Sequence, residues 1–503
     1  MQKFFDEDTI AAISTAVSQS GIGVIRISGR DAVRIADKVY RSPGGKKHLN
    51  SVPSHTIHYG YIIDPEGQDT SEDQTESEDQ TDSEGQSASE TAGAFERKDS
   101  RKASVIDEVL VSVMLAPRTY TAEDVVEISC HGGVLAVTRV LDAVIKAGAR
   151  AAGPGEFTKR AFMNGRIDLT EAEAVMDVIE SKNRYALENS VSQVRGSLYH
   201  KIEEIRSGML YQSAHIEACL DNPDAMSFEE YQEEFADQVR TWTSDISRLL
   251  STADSGRLMQ EGIRTVIVGK PNAGKSSLLN LLLGEERAIV TPVAGTTRDV
   301  LTETVTVGGM TLRITDTAGI RDTDDLVEKI GVQRALDAVK EADLVLYLID
   351  SSTYIDMMDN EIMDLIRGKN VIILQNKTDL DMVTDIETIR DALKGRENIP
   401  VIPFSARERK GLDLLTDTLK DMFFRGHLSF NDEIVITNAR HKALLGKALE
   451  SLTQLQKSID DGMPEDFFTV DLMSAYESLG EITGQEIGDD LADEIFSRFC
   501  MGK

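Results

Sequence analysis

Residues 269–276 have the types and the spacing that hold phosphate groups in proteins. They read Gly-Lys-Pro-Asn-Ala-Gly-Lys-Ser, which fits the pattern G-x-x-x-x-G-K-[ST]. The run TVIV precedes this segment and SSLLNLLL follows it, so it is predicted to join a strand to the first turn of a helix. Backbone N–H groups of such a loop surround phosphate oxygens, Lys275 neutralises the terminal phosphates, and Ser276 offers a hydroxyl to Mg²⁺. The predicted ligand is a nucleotide bound with Mg²⁺.

Three later motifs, each after a predicted strand, narrow the nucleotide to GTP. Asp316-Thr-Ala-Gly319 follows LRIT, and its aspartate and glycine suit Mg²⁺ and the γ-phosphate. Asn376-Lys-Thr-Asp379 follows VIILQ. The Asp379 carboxylate can accept from N1–H and the 2-amino group of guanine, which adenine cannot offer. Ser405-Ala406 resembles the base-supporting loop of GTPases. Four motifs in this order predict a GTPase.

The group that orients the attacking water is not the usual glutamine. Ile320 stands after D-T-A-G, where Ras-like enzymes carry that glutamine, and an apolar side chain cannot orient water. Glu328 is the candidate for this catalytic role, and a solvated glutamate on a helix face is the alternative. No arginine finger is evident in the chain, although Arg298 and Arg321 stay open as candidates.

A monovalent cation could supply the missing positive charge. The side-chain carbonyl of Asn272 can join phosphate oxygens around such a cation, at the place where an arginine finger acts. The alternative is a loop asparagine that fixes its own turn. The complete set of predicted GTP-binding residues is Asn272, Ala273, Gly274, Lys275, Ser276, Ser277, Thr291, Pro292, Val293, Ala294, Gly295, Thr296, Thr297, Asp316, Thr317, Ala318, Gly319, Asn376, Lys377, Thr378, Asp379, Ser405, Ala406 and Arg407.

The elements around these motifs predict a multidomain protein of α+β and α/β class. Residues 264–425 alternate strands and helices, which indicates a parallel sheet covered by helices on both faces. Helical periodicity dominates before and after this region. The predicted boundaries are 1–165 for an N-terminal α+β domain, 166–263 and 428–503 for the two parts of a discontinuous all-α domain, and 264–427 for an inserted Ras-like P-loop G domain.

An acidic segment interrupts the N-terminal domain. Residues 64–104 carry 13 acidic and four basic side chains and almost no apolar ones, so they cannot offset the entropy of ordering. We predict a disordered insertion at about 65–104, in a hairpin-like connection between the strand candidates TIHYGYII and VIDEVLVSVML. A functional acidic segment is the alternative.

Charge and cysteine content exclude other classes. The 503 residues include 54 Lys and Arg against 86 Asp and Glu, a net charge of −32, which argues against a protein that coats nucleic acid. Cys130, Cys219 and Cys500 cannot form a disulfide framework and make no C-x-x-C pair. No stretch reaches the roughly 18 apolar residues that span a bilayer. The prediction is a cytoplasmic protein that does not enter the membrane.

Apart from the acidic segment, the whole chain resembles the TrmE/MnmE family of tRNA-modification GTPases. The resemblance rests on DTIAAIST, VIRISG, EDVVEISCHGG, GPGEFTKRAFMNGRIDL, the switch motif GTTRD and the C-terminal FCMGK. It implies an N-terminal domain that forms a homodimer and binds 5-formyltetrahydrofolate or a related tetrahydrofolate, and a potassium-dependent G domain. It also implies an FAD-dependent partner, MnmG or GidA, in an α2β2 or larger complex. The implied activity places a 5-carboxymethylaminomethyl or aminomethyl group on the wobble uridine, position 34, of certain tRNAs.

The family's functional residues carry over by position. The resemblance implies folate binding by Arg26, Glu127, Arg166 and Lys503, potassium binding by Asn272, Thr291, Val293 and Thr296, Mg²⁺ binding by Ser276 and Thr297, and catalysis by Glu328. A pterin has a donor edge that suits Glu127, and cationic groups suit the glutamate tail of a folate. On the residues alone, surface ion pairs are the alternative. Cys500 is the candidate nucleophile or proton-transfer group of the modification step, and a buried packing role is its alternative.

A second function fits the GTPase motifs equally well. A GTP-switched assembly factor, for example one acting on ribosomal RNA, would need the same nucleotide site and no modification chemistry. The N-terminal segments and the FCMGK tail favour the modification enzyme, because a simple assembly GTPase does not need them.

Overall fold

The computed structural model describes residues 8–64, 104–222, 228, 231–285, 302–315, 338–393, 398–424, 434–485 and 488–502. The chain forms two compact units, one of residues 1–168 with 487–503 and one of residues 169–486. Each unit has its own apolar cores.

The first unit is built on a seven-stranded sheet. Its strand order is β3-β4-β5-β6-β2-β1-β7. In chain order the strands are β1 (Ile10–Ile13), β2 (Ile22–Ser28), β3 (Tyr40–Arg41), β4 (Thr56–Ile63), β5 (Val105–Met114), β6 (Val125–His131) and β7 (Arg150–Ala151). Helices α1 (Ala32–Val39) and α2 (Val134–Lys146) share a core with the sheet. Alternate residues of β5, Val109, Val111 and Val113, enter this core, as the two-residue repeat of a strand requires.

The strands on either side of the acidic segment pair with each other. β4 and β5 are antiparallel, with Ile63 opposite Val105, and Asp64 N donates to Ser104 O at 3.0 Å. This pairing is the arrangement that the predicted hairpin-like connection requires. The predicted disorder of the segment concerns residues that lie outside the described ranges.

The last helix packs within the first unit. Helix α3 (Glu156–Met163) contacts the C-terminal helix Asp489–Ser497, where the Phe162 and Phe496 ring centroids are 6.0 Å apart. Gly155 N donates to Cys500 O at 3.3 Å. These contacts belong to the first unit, which includes the last helix. The predicted boundaries at 165, 263 and 427, which group this helix and the FCMGK tail with the second helical part, stay a prediction.

Helices from both sides of the α/β region share one core in the second unit. They are α4 (Leu169–Glu180), α5 (Arg184–Val194), α6 (Ser197–Asp221), α7 (Gln232–Ser251), α8 (Ala253–Glu261), α13 (Ala439–Asp460) and α14 (Asp466–Thr483). Buried residues of α6, α7, α13 and α14 form a single cluster that includes Trp242. The predicted discontinuous helical domain is thereby confirmed. Within the described ranges, no helix combines the length and apolar character needed to cross a membrane.

The α/β region has a six-stranded sheet of order β13-β12-β11-β8-β10-β9. The strands are β8 (Ile263–Gly269), β9 (Thr302–Val307), β10 (Met310–Thr315), β11 (Leu344–Asp350), β12 (Val371–Asn376) and β13 (Val401–Pro403). The helices are α9 (Lys275–Glu285), α10 (Met357–Leu365), α11 (Ile386–Ala392) and α12 (Leu412–Phe424), which with the C-terminal α15 (Asp489–Ser497) complete the numbering. Alternate residues of β11 enter two different cores, Leu346 one and Tyr347 the other. A sheet with cores on both faces was predicted and is confirmed.

One edge of this sheet differs from the predicted parallel arrangement. β9 is antiparallel to β10. Gly308 and Gly309 connect the two strands with φ angles of 57° and 83°, and such a two-residue turn can join only antiparallel strands. The strands that the alternating pattern identified are parallel to one another, and β9, which the pattern did not identify, adds an antiparallel edge.

A buried carboxyl on α4 makes the stability of the second unit depend on pH. The pKa of Asp177 is raised from 3.8 to about 6, mainly because the carboxyl is buried. The hydrogen bond from Thr437 opposes this increase, whereas repulsion from Glu173 and Glu180 adds to it. A raised carboxyl pKa means that the folded state loses stability as the pH rises through this range. We expect Asp177→Asn to raise the free energy of unfolding by about 1–3 kcal/mol at pH 8 and to have no effect below about pH 4. Urea unfolding followed by circular dichroism measures this.

The exposed Asp221 at the end of α6 provides the matched control. Asp221→Asn should leave the free energy of unfolding unchanged at both pH values. A stabilisation by Asp177→Asn that is the same at pH 4 and pH 8 would contradict the assigned cause.

Candidate nucleotide site and N-terminal charge cluster

The loop between β8 and α9 is closely packed and accepts only glycine at two positions. Gly269 has φ of 153°, and an added Cβ would lie 2.6 Å from Leu348 O. Gly274 has φ of 103°, and an added Cβ would lie 2.2 Å from Asn376 Nδ2. Both positions combine a backbone that L side chains rarely adopt with a close approach to another strand end. The two glycines of the phosphate-binding pattern are therefore required by the fold as well.

Lys275, the first residue of α9, points back into this loop. Its Nζ donates to Gly269 O at 2.8 Å and to Lys270 O at 2.9 Å. Burial lowers the pKa of Lys275, and the negative charge of phosphate oxygens would favour the ammonium form again. Ser276 and Ser277 are exposed in the first turn of α9, where backbone N–H groups have no partner within the helix. Lysine, hydroxyls and helix N-terminus together suit a phosphate with Mg²⁺.

Asn272 is exposed and has φ of 64°. Asparagine tolerates this left-handed conformation better than most residues. The backbone conformation therefore agrees with the alternative interpretation, in which Asn272 fixes its own turn. Its proposed contact with a cation stays a prediction.

Asn376 connects three of the predicted nucleotide-binding loops. Its Nδ2 donates to Ala273 O at 2.8 Å, and its Oδ1 accepts from Ala406 N at 3.1 Å. The side chain is buried at the end of β12. A buried amide whose oxygen and nitrogen are both hydrogen-bonded is held in a single orientation. Asn376 therefore fixes the phosphate loop relative to the base-supporting loop.

The remaining residues of the guanine motif are held by the strand ends beside them. Asp379 Oδ1 accepts from Ser405 Oγ at 2.8 Å, and Arg407 Nη1 lies 4.0 Å from Asp379 Oδ2. The N and Oγ1 of Thr378 both donate to Phe404 O, at 3.2 and 3.0 Å. Asp379 thus presents its carboxylate in a fixed orientation, as recognition of a base edge needs.

Asp350, at the end of β11, was not predicted to belong to this site. Its Oδ2 accepts from Lys377 Nζ at 2.7 Å. Burial disfavours its charge, but hydrogen bonds from Lys377 and Ser352 outweigh this and hold the pKa of Asp350 below its usual range. The sequence did contain a signal for Asp350, which is a carboxylate at the end of the strand next to β12. The carboxyl ends of neighbouring parallel strands meet at one edge of the sheet, where such folds bind ligands.

Part of the predicted site falls outside the described ranges. These residues are Thr291, Pro292, Val293, Ala294, Gly295, Thr296, Thr297, Asp316, Thr317, Ala318, Gly319, Glu328 and Lys503. Their roles stay predictions from the sequence.

In the first unit, Arg26 and Glu127 lie opposite each other on β2 and β6. Arg26 Nε and Nη2 both lie 2.9 Å from Glu127 Oε1. Their side chains are 17% and 29% exposed, so the pair is accessible from solvent. The ion pair given as the alternative is present.

Tyr120 joins Arg166 to this pair. The Cζ atoms of Arg26 and Arg166 each lie 5.0 Å from the centroid of the Tyr120 ring, within cation–π range. Arg166 Nη1 also donates to Tyr120 O at 3.0 Å. Two of the four predicted folate residues therefore lie against one aromatic ring, and a third, Glu127, pairs with one of them. Nothing in the local sequence identified Tyr120, because it precedes β6 in a loop and reaches the arginines only in the folded unit.

The C-terminal tail reaches the same cluster. Gly502 O accepts from Ser14 Oγ at 3.0 Å and from Arg26 Nη1 at 3.5 Å. Gly502 has φ of 89°, and an added Cβ would lie 2.2 Å from Ile13 O. Cys500 is a free, exposed cysteine, so the alternative of a buried packing role is wrong, while its chemical role stays a prediction.

Comparison with known proteins gives matches over nearly the whole chain. The family description "GTP-binding protein TrmE N-terminus" matches residues 9–166, and "MnmE helical domain" matches residues 169–500. A protein of Lachnoclostridium phytofermentans named tRNA modification GTPase MnmE is 48% identical over 496 residues, with 99% of each chain covered. A protein of that name from Geobacillus thermodenitrificans is 44% identical over 500 residues, again with 99% of each chain covered.

Solved structures match only in part. The structure of Era in complex with MgGDPNP and nucleotides of 16S ribosomal RNA is 29% identical to the aligned region, covers 38% of this chain and 66% of that chain, and has a TM-score of 0.26. A likeness of this extent supports no conclusion about the chain.

Proposed function

Because the chain belongs to the TrmE/MnmE family of tRNA modification GTPases, we propose that it is a potassium-dependent GTPase that acts in wobble-uridine modification. With an FAD-dependent partner and a tetrahydrofolate one-carbon unit, it forms the 5-carboxymethylaminomethyl or aminomethyl group at position 34 of certain tRNAs. The observation that carries the proposal is similarity along the whole chain, with 99% of each relative covered, rather than in the α/β region alone.

The nucleotide site supports GTP as the ligand. Lys275 and the backbone of its loop bind the β- and γ-phosphates, and Asp379 accepts the donor edge of guanine. Asn376 keeps these two parts at a fixed separation through its bonds to Ala273 and Ala406. Ser276 and Thr297 are the residues that would hold Mg²⁺, which would supply positive charge to the phosphate oxygens.

Hydrolysis is assigned to residues of the switch regions. Glu328 accepts a hydrogen bond from the attacking water and orients it, in place of the absent glutamine. Asn272, Thr291, Val293 and Thr296 are the residues that would bind K⁺. The cation supplies charge where a finger arginine would otherwise act.

The N-terminal cluster is proposed as the folate site. The exposed guanidinium of Arg166 and the partly exposed Arg26 suit the carboxylates of a folate tail, and Lys503 would add a third cation. The Glu127 carboxylate can accept the donor edge of a pterin. Cys500, exposed in the same unit, is proposed to act in the modification step. Homodimerisation, the partner MnmG and tRNA complete the proposal.

The assembly-factor function is retained as the second candidate. It requires the nucleotide site alone. The charge cluster around Tyr120 and the bound tail favour the first function, because they form a second polar site that an assembly switch would not use.

Nucleoside mass spectrometry of tRNA from cells with and without this chain tests the proposal. Deletion should remove the 5-aminomethyl-type wobble uridines. The native chain should restore them, and Glu328→Ala, which we expect to slow GTP turnover with GTP affinity near normal, should not. An unchanged nucleoside profile together with abnormal ribosomal particles would support the assembly factor instead.

Potassium dependence gives a separate prediction. GTP turnover should be at least about tenfold faster in KCl than in NaCl of equal concentration, because K⁺ fits the proposed site and supplies transition-state charge. Asn272→Ala should abolish this difference. Equal rates in the two salts for the native chain would remove the cation from the mechanism.

A further inference from the structure

A buried carboxylate contacts the phosphate loop from outside the nucleotide site. The Nζ of Lys270, the second residue of the loop, lies 2.7 Å from Asp359 Oδ2 and 3.1 Å from Asp356 Oδ2. Asp356 caps α10, and Asp359 belongs to the first turn of that helix. The side chain of Asp359 is 1% exposed and that of Lys270 is 14% exposed. The contact is therefore a largely desolvated ion pair.

The position of Asp359 is fixed by the sheet and by its own helix. Its Oδ1 accepts from the hydroxyl of Tyr347, a fully buried residue of β11, at 2.9 Å. Its Oδ2 accepts from Asp356 N at 3.1 Å, which closes a capping box. A carboxylate buried in this way is held rigidly and strongly favours a positive partner. Lys270 is the positive group it contacts.

The backbone carbonyl of Lys270 holds Lys275, the lysine that is proposed to bind the phosphates. Lys270 O accepts from Lys275 Nζ at 2.9 Å and from Ala273 N at 3.2 Å. The loop also contains three residues with positive φ, Gly269, Asn272 and Gly274. A backbone of this kind persists only where surrounding contacts determine it. Asn376 holds the loop at Ala273, and the Lys270 side chain holds it at the opposite end.

We propose that Asp359 is a positioning residue for nucleotide binding, and that it acts through Lys270 to orient the carbonyl group that holds Lys275. The pair keeps the loop in its phosphate-binding conformation before the nucleotide arrives. The proposal rests on the function proposed above, since it requires that this loop bind GTP.

Three variants of the full-length chain test the role: Lys270→Met, Asp359→Asn and the double variant. Each single variant should lower the affinity for GTP and GDP about tenfold by titration calorimetry and speed the release of radiolabelled GDP. KM for GTP should rise about tenfold while kcat changes less than threefold, because bound phosphates realign Lys275. Lys270→Arg, whose guanidinium can reach Asp359, should stay within threefold of the native affinity.

The double variant separates positioning from stability. Lys270→Met leaves a buried carboxylate without its cation and should lower the melting temperature, whereas the double variant removes both charges and should recover it. Its nucleotide affinity should nevertheless stay about tenfold below that of the native chain. Arg367→Met, which removes an exposed pair with Asp364 just beyond α10, is the matched control and should change neither quantity.

Two results would overturn the inference. One is a double variant that binds GTP as tightly as the native chain does. The other is a loss of GTP affinity in the single variants that is fully explained by their smaller fraction of folded protein. If Asp359→Asn does not fold, the double variant and Lys270→Met still decide the question. Failure of the native chain to bind GTP in the same titration would defeat the proposed function itself.

Discussion

Gly274→Ala is expected to lower the affinity for GTP and GDP by at least about 100-fold. The added Cβ would stand 2.2 Å from Asn376 Nδ2, at a φ of 103° that alanine rarely adopts. Either Asn376 moves and releases Ala273 O, or the loop changes its backbone and loses its phosphate-binding shape. Backbone strain of 1–3 kcal/mol together with the lost hydrogen bond amounts to about 3 kcal/mol, which corresponds to about two decades in affinity. Titration calorimetry with each nucleotide measures it.

A glycine of the helix that follows this loop serves as the control. Gly284 lies in α9 and has no heavy atom within 4 Å of an added Cβ. Gly284→Ala should keep nucleotide affinity within twofold, because alanine fits an open helical position without strain. Normal GTP binding by Gly274→Ala would show that this loop does not hold the phosphates.

Asp379→Asn is expected to exchange guanine for xanthine recognition. The carboxylate can accept two hydrogen bonds from guanine, whereas an amide accepts from N1–H and turns its NH₂ group towards the 2-amino group. Xanthine has a carbonyl oxygen at that position and can accept from the amide. Loss of one charge-assisted bond and an unpaired donor cost about 3–4 kcal/mol, so GTP affinity should fall about 100- to 1000-fold. Affinity for xanthosine triphosphate should rise correspondingly in competition titrations.

The surroundings of Asp379 make this substitution specific. Asparagine has the same shape, and its Oδ1 can still accept from Ser405 Oγ, which the carboxylate does at 2.8 Å. Asp381→Asn, two residues further along and exposed, is the control and should leave discrimination unchanged. Unaltered preference for GTP over xanthosine triphosphate in Asp379→Asn would mean that another residue reads the base.

Local patterns predicted the parts of the fold that depend on neighbours in sequence. The strands ending at Gly269 and Asn376 follow from continuous apolar runs, and the loops after them follow from motif chemistry. Alternation of strands and helices then predicted cores on both sheet faces. The antiparallel β9 was missed, since its alternating threonines resemble a loop until it pairs with β10.

Contacts between distant residues could not be predicted in the same way. Tyr120 meets Arg166 only after the first unit folds, and Lys270 meets Asp359 across 89 positions of sequence. No periodicity marks such a pair, because each member looks like an ordinary surface charge in its own segment. The family resemblance supplied Arg26, Glu127 and Arg166, but it gave no reason for their proximity, which the ring of Tyr120 provides.

The single tryptophan allows the helical core to be monitored separately by fluorescence. Trp242 is the one tryptophan of the sequence, and it lies 5% exposed among the buried residues that α6, α7, α13 and α14 share. Its indole emission should therefore shift to longer wavelength when water enters this core, with no other indole contributing. Variants of the α/β region can then be checked for damage to the helical segments on either side of it by a single emission spectrum.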